Sequence, residues 1–405
     1  MNICPSHSCT GCSACANLCP SDAISMHPDS HGFLHPSIDV DKCTSCSLCR
    51  SICPQNRSSG TKSPLAVYAG LSKDDSLRHH SSSGGIFSEL AKNTLKKKGV
   101  VFGAAYDDSL QVHHIGITEI SDLHRLRGSK YVQSNIGTSY AEARKKLQEG
   151  YQVLFTGTPC QIAGLYSYLC KDYSNLVTMD ILCHGVPSPE VYKKFIDSLQ
   201  KEHAKSLTDI SFRSKIPGWK TYSTQLTFAD NTTATLPCNS YMSGFLNNVY
   251  LRNSCSTCRY ATASRPGDIT LGDYWGYRET APDHIEDDDH GISLIMCNSQ
   301  KGILALKKIT GKLALTKRSF SNAAEGNPVL IHPFKKSHFA DAFWEDFPIM
   351  SWNELSEKYF PVMPPPKDPI SPEDRNYYAI PYIKRHRRHL LHCLKVSLLK
   401  KLRRK

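Results

Sequence analysis

The sequence predicts an α/β (α+β) protein with a small cysteine-rich domain, a larger α/β body that includes antiparallel strands, and a basic helical C-terminal tail. Three observations predict it. Two cysteine runs lie within the first 57 residues. Short apolar runs alternate with helical patterns over residues 65–200, and the period shortens towards two over 207–240. Residues 384–405 carry ten Lys or Arg and no acid.

The first cysteine run is Cys9-x2-Cys12-x2-Cys15-x3-Cys19-Pro20, and the second is Cys43-x2-Cys46-x2-Cys49-x3-Cys53-Pro54. Each is the bacterial ferredoxin spacing, in which three thiolates grip one [4Fe–4S] cube and the fourth serves the other cube. One cluster is therefore assigned to Cys9, Cys12, Cys15 and Cys53, and the other to Cys43, Cys46, Cys49 and Cys19. The runs repeat at 34 residues, Cys9 to Cys43 and Cys19 to Cys53, as a two-cluster module requires. Zinc is the competing metal for paired CxxC units. Four cysteines per run, each run closed by Pro, argue against it. Residues 1–57 are thus expected to form a two-cluster ferredoxin-type domain, and the protein to move electrons.

Residues 58–64 belong to a polar stretch rich in Ser, Gly and Pro that reads as a linker. Leu65–Gly70 and Val100–Ala105 look like strands. Between them, Ser81 to Gly85 form a glycine turn that leads into a helical pattern. Tyr151–Gly157 and Leu176–Leu182 are further strands, each ending in a loop that bears a cysteine, Cys160 or Cys183. Both cysteines are expected at one edge of the sheet. Residues 207–240, rich in Thr and Ser, predict antiparallel strands. The pair Cys255-x2-Cys258 could complete a four-thiol set with Cys160 and Cys183. Spacing alone leaves zinc, an iron–sulfur cluster and unconnected core cysteines open.

The 405 residues allow two or three domains, and 17 cysteines in a chain without an apparent secretory signal argue for metal ligation in a reducing, cytoplasmic compartment. No run approaches the roughly 18 apolar residues of a membrane span. The net charge is +12, but subtracting the ten tail cations leaves +2, so the body carries no nucleic-acid signature. Cys4, Cys170, Cys238, Cys297 and Cys393 have no partner pattern, although Cys4 lies close to the first run.

The segments SSGGIFSELA, GSKYVQS, GTPCQIAGL, CHGVPSP, FRSKIPGW, CSTCRYA, RPGDITLGDYWG and GISLI occur in this order over residues 66–340. In that order they resemble the beta subunit family of coenzyme F-420-reducing hydrogenase and its dehydrogenase relatives. The resemblance implies FAD beside a third [4Fe–4S] cluster, with Cys160, Cys183, Cys255 and Cys258 as ligands. It implies a flavin-binding body, its N-terminal part over 65–150 and its C-terminal part, with the third cluster, over 151–345. Cofactor contacts fall on Ser83, Gly84, Gly85, Lys130, Tyr131, Ser134, Gly157, Thr158 and Asp273. Ser83 to Gly85 would present backbone amides to phosphate at a helix start. Lys130 offers a cation, and Tyr131 an aromatic face. Asp268 and Asp273 either hold ribityl-side groups or cap turns. Arg213 and Lys215 either pair with an anion or form surface ion pairs. His184, beside Cys183, is the candidate for proton transfer or for tuning the cluster. The acidic run Glu286 to Asp289 reads as a solvated loop.

These readings imply an iron–sulfur flavin-dependent oxidoreductase. It would take electrons from a ferredoxin or other low-potential donor and pass them to an organic or deazaflavin acceptor, reversibly. The alternative is a non-catalytic electron-transfer subunit that docks onto a catalytic partner.

Residues 346–405 are expected to form a proline-rich linker and a tail. Leu390, Leu391, Leu394, Leu398 and Leu402 recur at helical spacing among the tail's cations. Such a helix suits an anionic membrane surface, placing the chain peripherally at the inner face, or else docks on the body or on an acidic partner. The membrane reading predicts salt-sensitive binding to anionic vesicles that is lost on deleting residues 384–405. Equal vesicle binding by the truncated chain would refute it.

Overall fold

A computed structural model describes residues 2–57, 60–237, 239–277 and 285–360, all within one structural unit. The basic tail, Cys238 and Cys393 lie outside the described residues.

Strands β1 (Ile24–Pro28) and β2 (Leu34–Ile38) form a hairpin in the N-terminal unit. The strands of the body are β3 (Ala66–Ser72), β4 (Val100–Tyr106), β5 (Val112–Ile117), β6 (Val153–Gly157), β7 (Leu176–Ile181), β8 (Leu207–Ser214), β9 (Ser223–Phe228), β10 (Thr233–Leu236), β11 (Ile269–Asp273), β12 (Ser293–Cys297) and β13 (Leu313–Arg318). The main sheet has eight strands in the order β13-β3-β12-β11-β7-β6-β4-β5. Its centre, β4, β6, β7 and β11, is parallel, and its flanks are antiparallel. The second sheet, β10-β9-β8, is antiparallel and occupies the Thr- and Ser-rich stretch where period two is read.

Alternation along the central strands sends side chains into two cores, because successive residues of a strand point to opposite faces. Val101 and Leu154 pack with Ile86 and Leu90 on one face. Val100, Phe102, Val153 and Phe155 pack with Ile162 and Leu165 on the other. Ala14 and Ile52 of the N-terminal unit join this second core, so the unit is seated on the body. A third core fills the space between the small sheet and the helix Pro189–His203. Trp352, Leu355, Tyr359 and Phe360 belong to it. The packed body therefore continues through Phe360, past the expected end at 345, because the helix Trp352–Tyr359 carries an apolar face the small sheet needs.

The expected linker is pinned where it is described. Lys62 and Arg265 exchange backbone hydrogen bonds of 2.8 and 2.9 Å. The Lys62 ammonium lies 3.0 Å from the buried carboxylate of Asp268. Asp268 also accepts from the backbone and hydroxyl of Thr178, from Tyr166 and from Ser299. Nearby, Asp180 and Arg265 form an ion pair at 3.0 Å with both side chains fully buried. Arg265 also donates to the carbonyls of Tyr260 and Ile181, and Asp180 accepts from Gly267 and Thr270. This network ties the end of β7 to the segment entering β11.

Removing one partner of such a pair leaves the other charged and buried. Asp180→Ala is expected to destabilise the protein by about 3–5 kcal/mol, read as a lowered denaturant midpoint. An unchanged midpoint would contradict this account of the pair.

Candidate functional site

The two ferredoxin runs keep their repeat in the backbone. Ser13 and Ser47, 34 residues apart in sequence, both adopt φ of 60° ahead of short helices, Ala14–Leu18 and Leu48–Ser51. Cys9, Cys12, Cys15 and Cys53 line one cavity. Cys46 and Cys19 lie within electrostatic reach of Cys49. Exposure differs between the two sites. Cys15 and Cys53 are buried, whereas Cys46 is exposed.

Cys4 lines the first cavity too, beside Cys53 and Cys9. That contact pulls the Cys9 thiol down to about 4, with smaller help from His35 and Arg252. It also pulls Cys53 down to about 7. Burial pushes Cys12 up to about 12.

In the body, the loops after β6 and β7 carry Cys160 and Cys183 to the carboxyl edge of the sheet. Ligand crevices form at this edge in open α/β sheets. Cys160 opens the helix Pro159–Leu169, which Thr158 caps through a capping box with Gln161. Cys255 and Cys258 arrive on the segment between the small sheet and β11. All four thiols line one cavity with His184, Arg252 and Tyr260. Burial pushes Cys160 up to about 11 and Cys255 to about 12. These are thiols whose ionisation needs a nearby positive centre, the condition a metal ligand meets when it gives up its proton. Among the described residues no three His, Cys, Asp or Glu side chains close on a point as they would around one ion. Four thiols lining one cavity are a donor set that fits a cluster.

The two cavities adjoin. Thr10 lines both. Gly164, on the helix that Cys160 opens, leaves room for Cys12, since a Cβ there would stand 2.9 Å from the Cys12 Cβ. Arg252 bridges the seam. Its Nε donates to the carbonyl of Cys9 at 2.8 Å, its Nη1 to Gln133 Oε1 at 2.9 Å, and its Nη2 to the carbonyl of Leu34 at 2.9 Å. Gln133 in turn donates to the carbonyl of Thr10. Gly11, at φ +66°, admits both side chains, for a Cβ there would lie under 3.0 Å from each.

The residues expected around a flavin fall into two groups along the same sheet edge. Gly84 donates to Ser293 Oγ, and its carbonyl accepts from Ser72 at the end of β3. Gly85, at φ +87°, starts the helix Ile86–Leu95 with no side-chain cap. The carbonyl of Ser83 accepts from Lys215 Nζ at 2.8 Å, and Ser129 binds Ser82, joining the two loops. Arg213 Nη1 donates to Asp273 at 2.7 Å and lies 3.3 Å from the Tyr131 hydroxyl. The guanidinium sits 4.1 Å from the Tyr222 ring centre and 5.3 Å from that of Trp275. Its Nε and Nη2 are buried without a hydrogen-bond partner. An uncapped helix start, free guanidinium N–H groups and aromatic faces suit an anionic aromatic cofactor.

Ser134, Gly157 and Thr158 form the second group, beside the body thiols. Ser134 Oγ meets His114 Nδ1 at 2.6 Å, and Thr158 Oγ1 lies 3.1 Å from Cys160 Sγ. Tyr131 connects the groups. Its ring meets Phe245 at 5.1 Å, and Phe245 meets His184 at 4.8 Å.

Three expected residues are otherwise engaged. Lys130 donates to the carbonyls of Arg125 and Arg127, closing a helix end. Both oxygens of Asp273 are taken, by Arg213 and by Trp219 Nε1, so it orients the guanidinium. His184 pairs with Asn248 Oδ1 at 2.6 Å and stacks on Phe334, and burial pushes its pKa down to about 4. The acidic run is not simply solvated. Asp288 receives both Nη groups of Arg78, and Asp287 pairs with Lys220.

Sequence reading missed Arg252 and Gln133. Their partners are backbone carbonyls and each other, for which no motif exists.

The N-terminal unit has a thin core, with Ile3, Cys15 and Cys53 as its own buried cluster. Folding there should depend on metal. Removing iron with a chelator is expected to abolish amide-exchange protection in residues 2–57 while the eight-stranded sheet keeps its own. Protection that survives throughout would refute this dependence.

Comparison with known proteins follows the same division. Residues 8–57 match the model of a 4Fe-4S dicluster domain. Residues 67–139 match the N-terminal part, and residues 150–322 the C terminus, of the coenzyme F420 hydrogenase/dehydrogenase beta subunit. No curated protein matches. Among solved structures, a chain from a xenon-derivatised F420-reducing [NiFe] hydrogenase complex of Methanosarcina barkeri is similar, at 16% identity and TM-score 0.46, over 67% of this chain and 91% of that one. The two family models together cover more than half of the sequence, and the chain belongs to the coenzyme F420 hydrogenase/dehydrogenase beta subunit family, with a 4Fe-4S dicluster domain at its N-terminus.

Proposed function

We propose that the chain is an iron–sulfur flavoprotein oxidoreductase with three [4Fe–4S] clusters and one FAD. Electrons enter from a ferredoxin or other low-potential donor at the exposed cluster of Cys43, Cys46, Cys49 and Cys19. They pass to the buried cluster of Cys9, Cys12, Cys15 and Cys53, then to a body cluster on Cys160, Cys183, Cys255 and Cys258. A bound FAD would supply their exchange with an organic or deazaflavin acceptor, in either direction.

The observation that carries this reading is the shared wall between the two buried cavities, with Thr10 on both sides. Adjoining cavities keep an electron path short. The space enclosed by the four body thiols suits a cube better than a single ion. FAD, when bound, supplies the conversion between one-electron and two-electron steps. The chain's own residues bind and orient it. The Ser83–Gly85 turn and the helix start face phosphate, Arg213 offers its free N–H groups, and Asp273 and Trp219 hold that guanidinium in place. Tyr131 stands between this group and the cluster side. We place the protein in a reducing cytoplasmic compartment. Among the described residues no helix is long and apolar enough to cross a membrane.

The family's description as a beta subunit supports a second reading, in which the chain is an electron-transfer subunit docked on a catalytic partner. A self-contained enzyme turns over substrate alone. A relay reduces only dyes until its partner is added.

The first test is a count of iron, acid-labile sulfide and extractable flavin on anaerobically purified protein. Twelve irons and one FAD per chain are expected. Eight irons and no flavin after reconstitution would reduce the protein to a ferredoxin module on an inert body.

A further inference from the structure

Arg252 is 3% exposed. Its hydrogen-bond partners are the carbonyls of Cys9 and Leu34, the amide oxygen of Gln133, and a ring nitrogen of His35 at 3.1 Å. Phe33 lies 5.3 Å away on its π face. Asp29 stands beyond His35, 3.3 Å from the same ring nitrogen, with its side chain 37% exposed. Elsewhere in this molecule buried guanidinium groups hold carboxylates directly. Arg265 holds Asp180, Arg213 holds Asp273, and Arg78 holds Asp288. An isolated buried charge is costly unless opposite charge lies near. At Arg252 the hydrogen bonds are satisfied, but among the described residues no carboxylate forms an ion pair with it.

Two thiol-lined cavities flank it. Arg252 lines the body cavity, and its Nε is fixed to the backbone of Cys9 in the other. Its field reaches both. A cube held by four thiolates is a net anion, and gaining an electron makes it more negative. A fixed cation between two such anions stabilises the reduced form of both.

We propose that Arg252 is the shared counter-charge of the two adjoining clusters and raises the reduction potentials of both together. This rests on the reading that clusters occupy both cavities. Arg252 is a positioning and electrostatic residue, and it takes no part in the chemistry at substrate.

The test is an EPR-monitored potentiometric titration of the full chain, purified anaerobically, with iron counted in each sample. Arg252→Gln should shift the potentials of the inner and body clusters to more negative values. The reduced-to-oxidised ratio at fixed potential should fall about tenfold, equivalent to about 59 mV for a one-electron couple. The outer cluster of Cys43, Cys46, Cys49 and Cys19 should keep its potential. Arg252→Lys keeps the charge and should stay with the wild type. Gln133→Glu puts a carboxylate at the atom Arg252 already binds, so it should reproduce the Arg252→Gln shift while Arg252 remains. That variant decides the matter if Arg252→Gln does not load its clusters. Unmoved potentials in the loaded variants, or an equal shift in Arg252→Lys, overturn the proposal. Twelve irons with unmoved potentials overturn the counter-charge alone and leave the relay standing. Eight irons in the wild type overturn both.

Discussion

Arg252 reaches from the loop carrying Cys255 and Cys258 to the carbonyl of Cys9, and the join between the two cysteine-lined cavities is built around that reach. The N-terminal unit has little core of its own. It is seated by Ala14 and Ile52 in the body's second core and by polar contacts around Arg252. Ser188 Oγ donates to the carbonyl of His31 at 2.5 Å, and Arg259 donates to the carbonyl of Pro54 at 2.8 Å. These bonds hold the turn between β1 and β2 and the end of the second cysteine run. Carbonyls of one unit answered by guanidinium groups of the other fix orientation as well as proximity, since a guanidinium fork tolerates few geometries.

The sheet supplies the other half of the arrangement. Parallel strands deliver their carboxyl ends to one edge, so loops far apart in sequence share it. Cys160 follows β6, Cys183 follows β7, and Asp273 closes β11. The antiparallel strand β3 runs the same way as β11, because β12 lies between them and opposes both. Its end therefore brings Ser72 and the Ser81–Gly85 turn to that edge as well. The buried networks of Asp180 and Asp268 hold β7 and β11 together just below the cysteine loops. Their charges serve the scaffold, which is why neither carboxylate is free to meet a cofactor.

What the sequence made legible was local. Ferredoxin spacing is a contiguous signal, and the αL conformations of Ser13 and Ser47 repeat it in the backbone. The antiparallel stretch after 207 was legible because period two acts between neighbours. The meeting of Cys160 and Cys183 at one edge followed from strand ends, but their meeting with Cys255 and Cys258 rested on resemblance. Where the reading and the structure part, a partner distant in sequence is the reason. Asp273 is occupied by Arg213 and Trp219, His184 is neutralised by its surroundings, and the helix at 352–359 is drawn into a core formed by residues 189–250. Arg252 left no pattern to read, because carbonyl acceptors carry no sequence signature.

Burial and charge then oppose each other along the path. An exposed cluster near Cys46 has water to stabilise its added electron. A buried one near Cys15 and Cys53 does not, and burial alone would make it harder to reduce. Electron flow inward would run uphill unless the interior supplied positive charge or hydrogen bonds to sulfur, both of which set cluster potentials. This chain supplies both at the seam. Cys4 contacts Cys9 and Cys53, the backbone of Val186 donates to Cys255 Sγ at 3.5 Å, and Arg252 places a cation between the cavities. The feature that seats the N-terminal unit thus also offsets the electrostatic cost of seating it. If Arg252 is the counter-charge we propose, docking and potential are set by the same side chain, and a change that weakened one would alter the other.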